Sequence, residues 1–161
     1  MTLFEVRALV APLSDQDILA LTLFGEARGE PIEGQIAVGQ VIRNRVRIDI
    51  GNDGRPDWWG EGYRGVCLAP KQFSCWNDGD PTQNSVLSRA KVLRGQADNT
   101  GGGADRMMAQ LLWIADGITR SYVDDDLRGA THYHADSLLP KWAKSMIVVA
   151  RKGHHIFYRE K

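Results

Sequence analysis

The stretch Phe24-Gly25-Glu26-Ala27-Arg28-Gly29-Glu30-Pro31 joins two segments of helical periodicity, and it carries more chemistry than a join requires. Ahead of it run Ile18, Leu19, Leu21, Leu23 and Phe24, an apolar series that reads as a buried helix. A bare helix-to-helix turn needs only Gly29 and Pro31. The two acids and the arginine are surplus. A carboxylate at Glu26, where the apolar helix ends, faces the negative end of the helix macrodipole. Apolar neighbours also deprive it of solvent, and both effects favour the protonated acid. A carboxylic acid still protonated near neutral pH is a general acid. In a continuous helix Glu30 would share a face with Glu26. Gly29 and Pro31 predict a break instead, with Arg28 pairing to Glu30 and Glu26 left alone. The bland alternative is a solvated helix end with a surface Arg–Glu pair.

Outward from this join, Ser14 is placed to cap a helix from about Asp15 to about Glu26, with Asp17 at its third position. Pro31 suits the first turn of a helix from Glu33 to Arg47. There Ile36, Val38, Val41, Ile42 and Val46 make an apolar face, Gly34 and Gly39 allow close approach, and Arg43, Arg45 and Arg47 suit the C-terminal dipole. Ile48 to Gly62 reads as a loop carrying Trp58-Trp59, a pair that either edges a groove or anchors the loop. One helical turn is expected over Tyr63–Leu68, extended chain over Pro70–Asn77, and a helix from about Thr82 to Leu93. Gly95 to Gly103 is a glycine-rich surface connection, and Asp105–Tyr122 is a further helix. Gly129–His134 reads as extended or looped, and Ser145–Ala150 with His155–Tyr158 as a β-hairpin. Helices first and a small sheet afterwards define an α+β fold. Residues 1–13 are an N-terminal extension, and 14–161 form a single domain.

The chain has 161 residues, 43% of them hydrophobic and 25% charged, which suits one globular domain. Twenty basic and twenty acidic residues cancel, so nothing global favours nucleic acid or an anionic membrane. No apolar run approaches the roughly 20 residues of a spanning helix, and the N-terminus lacks the pattern of a secretory signal. Cys67 and Cys75 flank Pro70; they either form one disulfide or remain two buried thiols.

Beyond Glu26 two clusters carry candidate chemistry. Gln72-Phe73-Ser74-Cys75-Trp76-Asn77 interleaves aromatic rings with short hydrogen-bonding groups, a composition suited to a sugar-binding groove and equally to a core strand. His132-Tyr133-His134, with His154-His155 near the end, places two histidines on one side of a strand, a metal-ligand spacing for which Glu26 or His155 could supply the further ligand or acid-base, but no HExxH-type motif supports it. No metal and no cofactor is therefore expected. Tyr133 is placed either to meet a reacting oxygen or to fill the core.

Together these blocks resemble a known family. Gly25-Glu26-Ala27-Arg28-Gly29-Glu30, Glu33-Gly34-Gln35-Ile36-Ala37-Val38, Val41-Ile42-Arg43-Asn44-Arg45-Val46, Pro70-Lys71-Gln72-Phe73-Ser74, Asp80-Pro81-Thr82, Gly129-Ala130-Thr131-His132-Tyr133-His134 with Pro140-Lys141-Trp142, and His155-Ile156-Phe157-Tyr158 are similar, in order, to the SleB/CwlJ-type cell wall hydrolases. The resemblance implies a lysozyme-like fold, mainly helical with a small antiparallel sheet, related to lytic transglycosylases. It implies cleavage of the β-1,4 bond between N-acetylmuramic acid and N-acetylglucosamine in peptidoglycan, with Glu26 as catalytic acid. Expected support near the scissile bond comes from Glu30, Ser74, Thr131 and Tyr133, with Glu30 steadying the turn. Expected substrate contacts are Gln72, Phe73, Trp76, Asn77, His132 and His134. No second acid stands out across the bond, which favours a transglycosylase giving 1,6-anhydro ends. The alternatives are a hydrolytic muramidase, a zinc amidase using His132 and His134, and a non-catalytic glycan-binding module. Without a leader or a wall-binding repeat the chain looks like a monomeric phage or prophage endolysin. It would be made in the cytoplasm, released by a holin-dependent route, and act on the periplasmic wall during host lysis.

Overall fold

The computed structural model describes residues 1–48, 58–97 and 102–161, with side chains from residue 106 in the last stretch. Helices α1 (Leu3–Val10), α2 (Asp15–Ala27), α3 (Ile32–Ile48), α4 (Gly62–Cys67), α5 (Gln83–Leu93) and α6 (Gly102–Thr119) precede a sheet of β1 (His132–Ala135), β2 (Ile147–Lys152) and β3 (His155–Arg159). Most of the loop expected over 48–62 lies outside the described residues, as does the middle of the 95–103 connection.

Helix α2 is the axle of the domain. Ser14 and Asp17 close a capping box at its start, each side chain accepting from the other's backbone N–H. Ile18 through Phe24 are then buried without interruption, because α3, α4, α5 and α6 all pack around this helix. A helix apolar on every side belongs inside a core. Burying Ile18, Leu19, Leu21, Leu23 and Phe24 contributes roughly 1.5–3 kcal/mol per side chain. An acid at the helix end is therefore tolerated, since even an unsatisfied buried polar group costs only about 1–3 kcal/mol. Beyond Ala27 the chain breaks as expected, and α3 starts with the Pro31 carbonyl accepting from Gly34 and Gln35.

The expected N-terminal extension forms α1, which places Val6 and Val10 in the same core. Helix α6 ends at Thr119, three residues short of the expected boundary. Tyr122 N–H bonds to Gly117 O and Ser121 N–H to Ile118 O, with Ser121 left-handed at φ 59°. This is a Schellman stop with serine where glycine usually announces it. The strands run antiparallel in the order β1-β3-β2, with the β2–β3 hairpin turning at Gly153 and His154.

The segment 70–77 departs most from expectation. Instead of running extended, it closes a 3-10 turn over Ser74–Trp76. The Trp76 indole N–H donates to Thr22 Oγ1 at 3.1 Å in the core, and that docking draws the chain in. Cys75 packs so closely on α2 that a Cβ at Gly25 would lie 2.4 Å from the Cys75 Cβ. Gly25→Ala must therefore push the turn off the helix. Its expected cost is about 1–3 kcal/mol, read as a thermal midpoint lower by several degrees; an unchanged midpoint would refute this packing argument.

Candidate active site

Glu26 lies at the last turn of α2, beneath a small cleft of about 330 Å³ lined by Gly25, Glu26, Arg28, Gly29, Glu30 and His155. Its Oε1 accepts the Cys75 backbone N–H at 3.3 Å. Burial raises its pKa above the ordinary glutamate value. The Cys75 N–H and the Tyr133 hydroxyl act the other way, and the Asp80 charge adds to the rise. The Oδ1 of Asp80 is occupied by the Thr82 N–H at 2.8 Å. Tyr133 comes from β1, its ring edge-on to His155 at 5.0 Å and stacked near Phe157 at 5.7 Å. Its own pKa is pushed well up, first by burial and then by the neighbouring Glu26.

Arg28 does not pair with Glu30 as expected. Its Nη1 donates to the Phe24 and Gly25 carbonyls, 3.0 and 3.3 Å away, so it satisfies the end of α2. Glu30 instead reaches the hairpin. Its Oε2 accepts the His154 N–H at 2.8 Å, and its Oε1 lies 3.7 Å from the His155 Nδ1. Gly153 makes room, because a Cβ there would stand 2.1 Å from Glu30 Oε2. The carboxylate is thus a strut between the α2–α3 corner and the sheet that carries Tyr133.

The expected groove aromatics are mostly elsewhere. Phe73 and Trp76 are 2% and 1% exposed, so neither ring has a face free for a sugar. Ser74 and Gln72 are exposed and Asn77 half-buried at the rim of the same turn. His132 and His134 occupy the face of β1 opposite Tyr133. His134 is buried, its Nε2 2.8 Å from the Tyr158 hydroxyl and its Nδ1 2.7 Å from Ala135 O. His132 sits between the rings of Trp59 and Trp142, with Thr131 Oγ1 2.9 Å from its Nδ1. Among the described residues no three His, Cys, Asp or Glu side chains converge as a metal site. Both cysteines are free and buried; burial pushes the Cys67 thiol up to about 12 and the Cys75 thiol higher still.

The group that sequence reasoning missed is Arg45. It is buried, donating from Nε to Thr131 O at 2.8 Å and from Nη1 to Gln72 Oε1 at 3.4 Å. Its guanidinium lies 4.3 Å from the Trp59 ring centre and 5.4 Å from that of Phe73. Its charge interacts with both Tyr133 and Glu26. The signal was available: Val38, Val41, Ile42 and Arg45 fall on one helical stripe, so the charge stands where the core should be.

A helical body and a small antiparallel sheet, with the desolvated Glu26 at the end of α2, make up a lysozyme-like fold. The catalytic domain of the germination-specific lytic transglycosylase SleB of Bacillus anthracis superposes with a TM-score of 0.53 at 26% identity, over 90% of this chain and 93% of that one. The catalytic domain of the Bacillus cereus SleB protein gives 0.52 at 26%, over 90% and 89%. The cell wall hydrolase model matches residues 29–158, and the chain belongs to that family. A spore cortex-lytic enzyme of Halalkalibacterium halodurans is 30% identical over 154 residues, 91% of this chain and 36% of its own length. The Bacillus subtilis counterpart is 36% identical over 81 residues, 50% of this chain and 24% of its own. The chain spans about a third of the length of the first of these relatives.

Because the folded chain holds the Glu26 proton more tightly than the unfolded chain, this group's contribution to stability is present at low pH. It is lost as pH rises through the raised pKa. Glu26→Gln keeps the shape and escapes that loss. The variant should melt above the parent at pH 7, with the gap closing toward about pH 4, near the unperturbed value. Equal melting curves at pH 7 would contradict a desolvated acid.

Proposed function

We propose that the chain is a peptidoglycan glycosidase of the lytic transglycosylase type, with Glu26 as its acid and base. The observation that carries this is the Glu26 environment: burial raises its pKa, while two donors wait to receive the charge it acquires. Membership of the cell wall hydrolase family and the likeness to the SleB lytic transglycosylase domain support the same substrate and reaction type.

Protonated Glu26 gives its proton to the glycosidic oxygen as the bond to the muramic acid anomeric carbon breaks, leaving an oxocarbenium-like centre. The carboxylate so formed is supported by the Cys75 N–H and the Tyr133 hydroxyl, with the Arg45 charge behind them. It then accepts the proton of the same sugar's C6 hydroxyl, whose oxygen closes on the anomeric carbon to give the 1,6-anhydro ring. No water is consumed, and one carboxyl serves both steps. A hydrolase retaining configuration needs a second carboxyl about 5–5.5 Å away, and an inverting one about 6.5–9.5 Å. Asp80 is the acid placed to be tested for that role. In this proposal the chain serves host lysis as a phage or prophage endolysin. Coexpression with and without a holin, followed by culture turbidity, tests it.

Mass spectrometry of digested sacculi decides the chemistry. Muropeptides one water lighter than hydrolytic products are expected, and Glu26→Gln should release them at least about 10³-fold more slowly. Reducing-end muropeptides that vanish in Asp80→Asn would replace the transglycosylase with a muramidase. Tyr133→Phe removes a group that lowers the Glu26 pKa, so the alkaline fall in activity should move to higher pH. A shift in the other direction would contradict the assigned role of the hydroxyl.

A further inference from the structure

A second cleft, of about 470 Å³, opens at the upstream end of β1, lined among others by Trp58, Trp59, Arg128, Thr131, Arg159 and Glu160. Thr131 lies two residues before Tyr133, a rise of roughly 7 Å in extended chain. The Glu26 cleft contains His155, which meets Tyr133 from the other end of the strand. The two clefts therefore lie toward opposite ends of β1.

That second cleft has two unusual members. Trp58 is 82% exposed, whereas its neighbour Trp59 is buried against Arg45 and His132. The tandem thus divides into one anchor and one free ring. Arg128 holds a left-handed backbone at φ 49°, a conformation non-glycine residues rarely adopt. Asp125 imposes it, its two carboxylate oxygens accepting the N–H groups of Leu127 and Gly129 at 3.0 and 3.1 Å. Among the described residues no hydrogen bond or ion pair engages the Arg128 guanidinium, whereas Arg159 reaches the Glu160 carbonyl at 3.4 Å. Among the residues lining the cleft, Trp58 supplies an exposed ring and Arg128 an exposed cation, the two kinds of group that hold a sugar face and an anion.

We infer that this cleft is a subsite for the peptide-bearing part of the glycan. Trp58 stacks on a pyranose ring, and Arg128 pairs with a carboxylate of the acidic stem peptide attached to the muramic acid lactyl group. The cleft's charges, two arginines against one glutamate, favour an anion, and guanidinium suits a carboxylate through paired donors. This rests on the glycosidase reading and adds a preference: strands that still carry their stems bind better than strands stripped of them.

The test is equilibrium binding to the inactive Glu26→Gln chain. Its ligands are soluble glycan strands with stems intact and the same strands after amidase treatment, in low and high salt. Stem-bearing strands should bind about tenfold tighter at low salt, the worth of one well-made charged contact, with the ratio shrinking as salt rises. Arg128→Gln in that background should bring the ratio close to one. Arg128→Gly should do the same without lowering the thermal midpoint, because glycine adopts the left-handed backbone freely. Trp58→Ala should weaken both strands alike. Equal binding of the two strands to the parent, or a ratio that survives both Arg128 variants, overturns the inference alone. Failure of both strands to bind overturns the glycosidase reading with it.

Discussion

The carboxyl group of Glu26 is held between two opposed influences, and the fold is arranged to keep both in force. Burial at the end of an apolar helix favours the neutral acid. The Cys75 N–H, the Tyr133 hydroxyl and the Arg45 charge favour its anion. Either influence alone would make a poor catalyst: too much burial would prevent the anion from forming, and too much support would release the proton into water. In the proposed reaction the group gives a proton and then takes one back, which needs a pKa moved upward but not far.

Each side of that balance comes from a different part of the chain. Desolvation belongs to α2, the helices around it and the Cys75 turn, which packs so closely that Gly25 has no room for a methyl group. The Cys75 N–H arrives because Trp76 is pulled into the core by Thr22. The Tyr133 hydroxyl arrives because β1 is hydrogen-bonded to β3, and β3 is tied through its turn to Glu30. Glu30 therefore acts on geometry, setting where the sheet stands relative to the helix end.

Local signals were read correctly where the cause is local. The Ser14–Asp17 capping box, the break at Gly29-Pro31 and the turn at Gly153 each depend on residues adjacent in sequence. Strand alternation likewise placed His132 and His134 together, on the face opposite Tyr133. What could not be read depends on partners far along the chain. The 72–77 segment has a groove-like composition, yet its aromatics are claimed by Thr22 and Arg45, about fifty and thirty residues away. Glu30 was matched to its neighbour Arg28, when its partner is the hairpin turn. The end of α6 was misjudged because Ser121 occupies a left-handed stop normally marked by glycine.

The two cysteines bear on where such a chain can work. Cys67 and Cys75 are buried, separate and strongly disposed to keep their protons. A thiol that does not ionise neither attacks a disulfide nor is readily oxidised. The architecture thus contains no covalent crosslink to be made or broken. The folded core therefore depends on no Cys67–Cys75 bond that a reducing compartment would break.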